Sequence, residues 1–145
     1  MVDGDLAAVA AIERQELSAW SETSIAGELY RHDSLAVVVC RSDTVVGWGC
    51  CRHNEFEAEL LKIGVAPSMR RQGLGSILLG TFISILQQRG IGELFLEVRS
   101  LNHPALSFYL NSGFTEVGRR INYYRQPSDD ALVLKKSIRP AKEGE

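Results

Sequence analysis

The stretch Ile63-Gly64-Val65-Ala66-Pro67-Ser68-Met69-Arg70-Arg71-Gln72-Gly73-Leu74-Gly75-Ser76 decides how this chain is read. It starts as a strand and stops at Ala66-Pro67, because proline removes a ladder donor. It then carries two arginines and enters a long apolar helix through two glycines. In that helix, predicted over Gly73 to Arg89, Leu74, Leu78, Phe82 and Leu86 fall four apart on one face. Ile77, Leu79, Ile83 and Ile85 widen the face, and Gly90 follows in the position where glycine ends a helix without strain. The first N–H groups of a helix have no intrahelical partner and stand at the positive end of its dipole. Gly73 and Gly75 remove Cβ atoms that would hold a bulky anion away, and Arg70 and Arg71 add charge. Arg70, Arg71, Gln72, Gly73, Leu74, Gly75 and Ser76 therefore read as a phosphate seat at a helix start. The plainer alternative is that the glycines only allow a tight turn and close packing. There is no Gly-Lys-Ser/Thr, and Leu78 stands where a dinucleotide fingerprint needs its last glycine.

Outward from this junction the elements follow closely, with no repeat and no low-complexity linker. Upstream, Asp5 to Leu17 has a helical apolar pattern with Asp5 as its N-cap, and Ser21 to Arg31 reads as a second helix. Ser34 to Arg41 and Thr44 to His53 form a hairpin around Ser42-Asp43, and Phe56 to Val65 is a third strand. Downstream, Glu93 to Arg99 is a strand. Asn102, Pro104 and Gly113 bracket a short helix over Ala105 to Ser112. Phe114 to Asn122 and Ala131 to Lys136 close the chain as strands, and the polar residues 138–145 form a frayed tail. The order α-α-β-β-β-α-β-α-β-β implies a mixed α/β (α+β) sheet with an antiparallel first half, not a Rossmann fold.

At 145 residues, 45% hydrophobic and 23% charged, the chain reads as one globular domain over 1–145. Such a length buries roughly 68–70% of its unfolded surface without staples. The balance of 16 Lys+Arg against 18 Asp+Glu argues against a nucleic-acid coat. No run of about 18 apolar residues exists, so no membrane span is expected. Met1 to Asp5 has no basic region followed by an apolar one, so the expectation is a cytoplasmic protein without a leader. Cys40, Cys50 and Cys51 read as reduced thiols, the adjacent pair pointing to opposite faces of a strand. His32, His53 and His103 lack ligand spacing, so no metal is expected.

The segment Arg70 to Gly75, Arg-x-x-Gly-x-Gly, resembles the acyl-CoA pyrophosphate motif of the GNAT superfamily of N-acetyltransferases. The run Leu94 to Asn102, followed by Ala105, Phe108-Tyr109 and Gly113-Phe114, is similar to that superfamily's second signature. Together with Trp20-Ser21-Glu22 and Arg119 to Tyr124, the set resembles the ribosomal-protein alanine N-acetyltransferase branch over roughly Leu6 to Lys136. The resemblance implies a GNAT fold, with parallel strands splayed at the cofactor site and helices on both sheet faces. It implies acetyl-CoA as cosubstrate and a protein N-terminus, that of a ribosomal protein, as acceptor. A monomer or weak homodimer is expected. The chain departs from the pattern at its start, where only Met1 to Gly4 is available for the usual first strand, and at Ala66, which stands where an acidic residue is common.

The chemistry implied is acetyl transfer to a neutral amine. At pH 7 roughly 10–20% of an α-amine is neutral but only about 0.04% of a lysine, so deprotonation costs about 1.2 against about 4.6 kcal/mol. A modest carboxylate base then suffices for an N-terminus. Glu97 is the candidate base, with a structural ion pair to Arg99 as its alternative and Glu59 as the competing carboxylate. Tyr109 is the candidate acid or else a core aromatic. A phenol near 10 lies above a thiol at about 8.5 and can protonate a departing thiolate. Backbone groups of Ile63, Gly64 and Val65 are expected to serve the cofactor across the splay, with Gly64 marking a bulge or a tight packing spot. Asn102 reads as helix cap and CoA contact. Tyr123 and Tyr124, placed in a polar connection, read as peptide contacts or as one tyrosine in and one out of a hairpin. Trp20 anchors the first helices against that wall or is ordinary core. Acceptors left open are a lysine side chain and a small amine. A non-catalytic acyl-CoA-binding domain is the alternative of another class.

Overall fold

The computed structural model describes residues 1–15, 19–70, 72–125 and 127–139. Leu17, Arg71 and the tail over 140–145 lie outside the described residues. A short 3-10 turn over Asp3–Asp5 leads into α1 (Leu6–Glu13), followed by α2 (Glu22–Leu29), β1 (Ser34–Arg41), β2 (Thr44–His53) and β3 (Glu57–Val65). After a 3-10 turn at Pro67–Met69 come α3 (Leu74–Gln88), β4 (Glu93–Arg99), α4 (His103–Asn111), β5 (Thr115–Arg125) and β6 (Ser128–Ser137). The sheet has the order β1-β2-β3-β4-β6-β5, antiparallel throughout except for the parallel pair β3–β4. Where the usual first strand would stand, Asp3–Asp5 is helical, and β1 is the sheet edge.

Local chemistry explains most boundaries. Ser42 and Asp43 both have positive φ, 50° and 66°, which matches the twist of a two-residue hairpin turn. Ser21 caps α2 by accepting from Ser24 N at 3.1 Å. Asp5 does not cap α1: its carboxylate accepts instead from Val2 N, inside the preceding turn. Gly90 and Gly113 end α3 and α4 with φ of 79° and 95°.

Two apolar layers clamp the sheet. Val9, Ala10, Ile12 and Ile25 from α1 and α2 pack with Trp48 and Cys50 on one face. On the other, Leu79, Phe82 and Leu86 from α3 meet Cys51, Leu60, Leu94, Leu96 and Leu134. Each large aliphatic or aromatic side chain so buried is worth about 1.5–3 kcal/mol. Ile77 lies outside this layer, exposed on α3. Gly49 lets α3 sit down on the sheet, since a Cβ there would lie 2.7 Å from Phe82 Cε2 and from Lys62 O. Cys50 and Cys51 do belong to opposite layers, and burial pushes the Cys50 thiol up to about 12.

On the first face α1 and α2 pack against β1, β2 and β3. Beside them the same face carries Glu59 of β3 and Glu97 of β4.

Candidate active site

The site begins where the sheet comes apart. The parallel ladder runs from Glu57↔Glu93 to Leu60↔Leu96 and stops. Pairing between β2 and β3 continues to Gly47↔Val65, and β4 stays paired with β6 to Arg99↔Ala131. Beyond Leu60 the facing edges of β3 and β4 therefore have no ladder partner in each other. Backbone groups of Ile63, Gly64 and Val65 on that edge must be satisfied elsewhere. The irregularity that opens the seam lies at Leu61: Cys50 pairs with Lys62 and Cys51 with Leu60, leaving Leu61 as the extra residue. Gly64 is not the bulge but the tight spot, since a Cβ there would come within 3.2 Å of Trp48 Nε1 and 3.4 Å of Glu13 Oε2.

β3 runs from this seam into the turn toward α3. Gly73 is the N-cap of α3 in the left-handed conformation, φ 77°, with open space where a Cβ would be. Its carbonyl accepts from Ile77 N at 3.1 Å, so Leu74, Gly75 and Ser76 present N–H groups with no intrahelical acceptor. The absent Cβ of Gly75 faces Phe108 Cζ at 3.4 Å, which makes this glycine a packing contact to α4 as well. Gln72 is tied to the β1–β2 hairpin by accepting from Arg41 Nη1 at 2.7 Å. Arg70 is exposed in extended backbone beside it. An open unpaired edge, a left-handed glycine without obstruction and three free helix-start N–H groups fit a pantetheine arm and a diphosphate. These residues would hold them, and the thioester would supply the acetyl group.

Glu59, Leu60, Leu61, Lys62 and Ile63 of β3, Glu97 and Arg99 of β4, Asn102 and Tyr109, and Trp20, Tyr123 and Tyr124 line one cleft of about 640 Å³. Thus the predicted base, acid and aromatic acceptor contacts are brought together. Glu97 pairs not with Arg99 but with Arg120 of β5, Nε to Oε1 3.0 Å. Arg99 instead donates to Pro127 O at 2.9 Å and lies 4.1 Å from the centre of the Tyr124 ring. Glu59 shares the Glu97 face, because it pairs with Phe95 and Phe95 alternates onto that face with Glu97. Partial burial, and next the nearby Glu97 charge, raise the Glu59 carboxyl above the ordinary range. Tyr109 stacks edge-on with Phe108 and Phe114, at 5.1 and 5.6 Å between ring centres. Asn102 caps α4 by accepting from Ala105 N at 3.3 Å.

Tyr123 and Tyr124 are not in a connection. They belong to β5, which runs on to Arg125 past an irregularity between Arg120 and Tyr124, with Asn122 at φ 52°. The expected strand ends at Asn122, inside this irregularity. Burial and the charge of Glu97 raise the Tyr124 phenol, keeping it a hydrogen-bond donor.

Three site features were missed from sequence. Glu13 is fully buried, accepting from Trp20 N at 2.9 Å and Trp48 Nε1 at 3.3 Å and pairing with Lys62 at 3.2 Å. It holds the Trp20 wall to β3, and Trp20 packs edge-on against Trp48 at 6.1 Å. A signal existed, for Glu13 lies four residues after Val9 on the apolar stripe of α1. Asp129 ties β6 to the segment before α4 by accepting from Ser100 Oγ, Leu101 N and Asp130 N, which holds its carboxyl below the ordinary range. Arg120 had no signal, because its partner is set by the strand register. Among the described residues no group of three His, Cys, Asp or Glu could hold a metal ion, and no helix is long and apolar enough to cross a membrane.

A strand splayed beside a left-handed glycine and an open helix start, over a cleft with carboxylates and tyrosines, is an acyl-CoA-dependent transferase architecture. Residues 6–114 match the model of the Acetyltransferase (GNAT) family, and the chain belongs to that family. It is an acetyl-CoA-dependent N-acetyltransferase. Among its relatives is the ribosomal protein bS18-alanine N-acetyltransferase of Escherichia coli strain K12, 35% identical over 136 residues, covering 90% of this chain and 89% of that one. The crystal structure of the ribosomal-protein-S18-alanine N-acetyltransferase from Escherichia coli superposes with a TM-score of 0.89 at 32% identity, covering 100% of this chain and 95% of that one. The PaiA N-acetyltransferase of Thermoplasma acidophilum, solved in complex with coenzyme A, shares the fold at a TM-score of 0.79 and 21% identity, covering 94% of this chain and 95% of that one.

Proposed function

We propose that this enzyme moves acetyl from acetyl-CoA to the N-terminal α-amine of an alanine-initiated ribosomal protein of the small subunit. The observation that carries this reading is the meeting of Glu97, Glu59 and Tyr109 in one cleft at the open seam between β3 and β4. Glu97 takes the proton of the incoming amine. An α-amine gives it up at a cost of about 1.2 kcal/mol near neutrality, within reach of a carboxylate. Backbone N–H groups of the Ile63–Val65 edge hold the thioester oxygen, where fixed donors are most effective. Tyr109 returns a proton to the sulfur, its phenol being a weaker acid than the thiol it protonates. The N–H groups of Leu74, Gly75 and Ser76, with Arg70 and Gln72 in the preceding turn, hold the diphosphate. Asn102 adds a contact from the α4 cap. Trp20, Tyr123 and Tyr124 wall the acceptor peptide. A cytoplasmic site of action accords with a ribosomal acceptor.

Single-turnover transfer from acetyl-CoA to a peptide panel tests the reading. Rapid transfer to the Ala-initiated peptide is expected. Transfer confined to ε-amines or small amines overturns the acceptor, and coenzyme binding without transfer to any amine overturns the mechanism.

A further inference from the structure

Glu97 lines two clefts at once. One is the large cleft with Tyr109. The other, of about 430 Å³, is lined by Arg52, His53, Phe95 and Arg120 among others, and Glu59 and Leu96 also border both. Arg120 borders only the smaller one. Its side chain is 58% exposed, whereas that of Glu97 is 17% exposed, so a sheet-held carboxylate meets a counter-ion reaching in from the solvent side. Arg120 also stands where β5 loses its register: pairing reaches Arg120↔Ala131 and resumes only at Tyr124↔Asp129. Its guanidinium carbon lies 5.3 Å from the centre of the Tyr123 ring, a contact that does not depend on Glu97.

An α-amine near neutral pH arrives mostly as an ammonium ion. That cation needs the carboxylate that Arg120 already holds. We propose that Arg120 is a positioning residue that takes the acceptor ammonium's place at Glu97 in the resting enzyme and yields it on entry, so that acceptor binding exchanges one cation for another. The inference rests on the reading of Glu97 as the base. Arg120 has a second effect on the carboxylate pair. Together with Arg52 of β2 it opposes protonation of Glu59, which burial and Glu97 favour. Tyr124 of β5 faces Glu97, with Arg99 of β4 over its ring. Asp33, His53 and Glu57 border the smaller cleft. The resting counter-ion thus opposes protonation of Glu59 until an amine arrives.

The test uses the full chain saturated with coenzyme A. Binding of an Ala-initiated peptide, and of the same peptide lacking its α-amine, is measured by calorimetry for wild type, Arg120→Met and Arg120→Lys. Loss of the competing charge is expected to tighten the ammonium peptide about two- to fivefold in Arg120→Met, the range of an exposed ion pair. The des-amino peptide should bind as in wild type, and Arg120→Lys should resemble wild type with both. The acid limb of kcat/KM should also move to higher pH in Arg120→Met only. Equal weakening of both peptides, or an unchanged preference between them, overturns the exchange. The binding arm needs no turnover. Unchanged preference in an enzyme that acetylates the Ala peptide therefore removes this inference alone, while absence of transfer in wild type removes the proposed function.

Discussion

The two ends of β3 are built from different materials. Beyond Val65 the chain offers backbone: a turn, a left-handed glycine and the N–H groups that open α3. Around Glu59 the cleft is built of side chains from several elements: Lys62 of β3 paired with Glu13 of α1, Glu97 of β4 paired with Arg120 of β5, and Asp129 of β6 on its wall. A diphosphate is the same in every reaction of this class, so it can be met by backbone that no substitution of side chain removes. An acceptor differs from enzyme to enzyme and is met by groups that can be exchanged. The first end should therefore respond to backbone strain and the second to charge.

The largest expected effect sharpens this contrast at the carboxylates. Glu97→Gln should lower turnover about 10²–10⁴-fold, the range for a positioned acid or base, with coenzyme A affinity little changed. Steady-state kinetics with calorimetry read both, and wild-type turnover in this variant would transfer the role to Glu59. Tyr109→Phe keeps the edge-on contacts with Phe108 and Phe114 and removes only the hydroxyl. A drop of about 10² in single-turnover rate is expected. A rate within twofold of wild type would make Tyr109 a core aromatic.

At the backbone end, Gly73→Val should relax the turn out of its left-handed conformation. Re-forming it on binding costs about 1–2 kcal/mol for an L residue. Coenzyme A affinity by calorimetry should fall about 5- to 30-fold. Gly73→Asn, which tolerates that conformation, should lose much less. Equal losses in both would mean that the side chain, not the backbone, is what the site rejects.

The smallest effect is on stability. The Glu59 carboxyl is raised in the folded state, so the fold binds its proton more tightly than the unfolded chain does. That contribution is present below the ordinary carboxylate range and lost as pH rises past it. Relative to wild type, Glu59→Gln should therefore gain in melting temperature between about pH 4 and about pH 8, by a small margin because Glu59 is exposed. A melting difference that does not vary with pH would remove the like-charge pair from the account.

Legibility in the sequence followed the range of the interactions. The strand–turn–helix over Ile63 to Gly90 was readable because periodicity, proline and glycine act within a few residues. The same holds for the Asn102 cap and the Ser42-Asp43 turn. The strand reading stopped short at the end of β5, where the break between Arg120 and Tyr124 interrupts the ladder. The ion pair of Glu97 was misread for a related reason: spacing along one strand suggested Arg99, whereas the neighbour across the sheet is Arg120.

By itself, the sequence determined which elements form, that a long helix starts at two glycines after a basic turn, and which carboxylates and tyrosines were available. Only the tertiary structure decided that Leu61 opens the seam, that Glu13 lies buried under Trp48, and that Arg120 holds Glu97. The reason is physical. Backbone preference is a local property of a few dihedral angles, while the pairing of charges depends on strand register, and register is settled by the packing of the whole sheet.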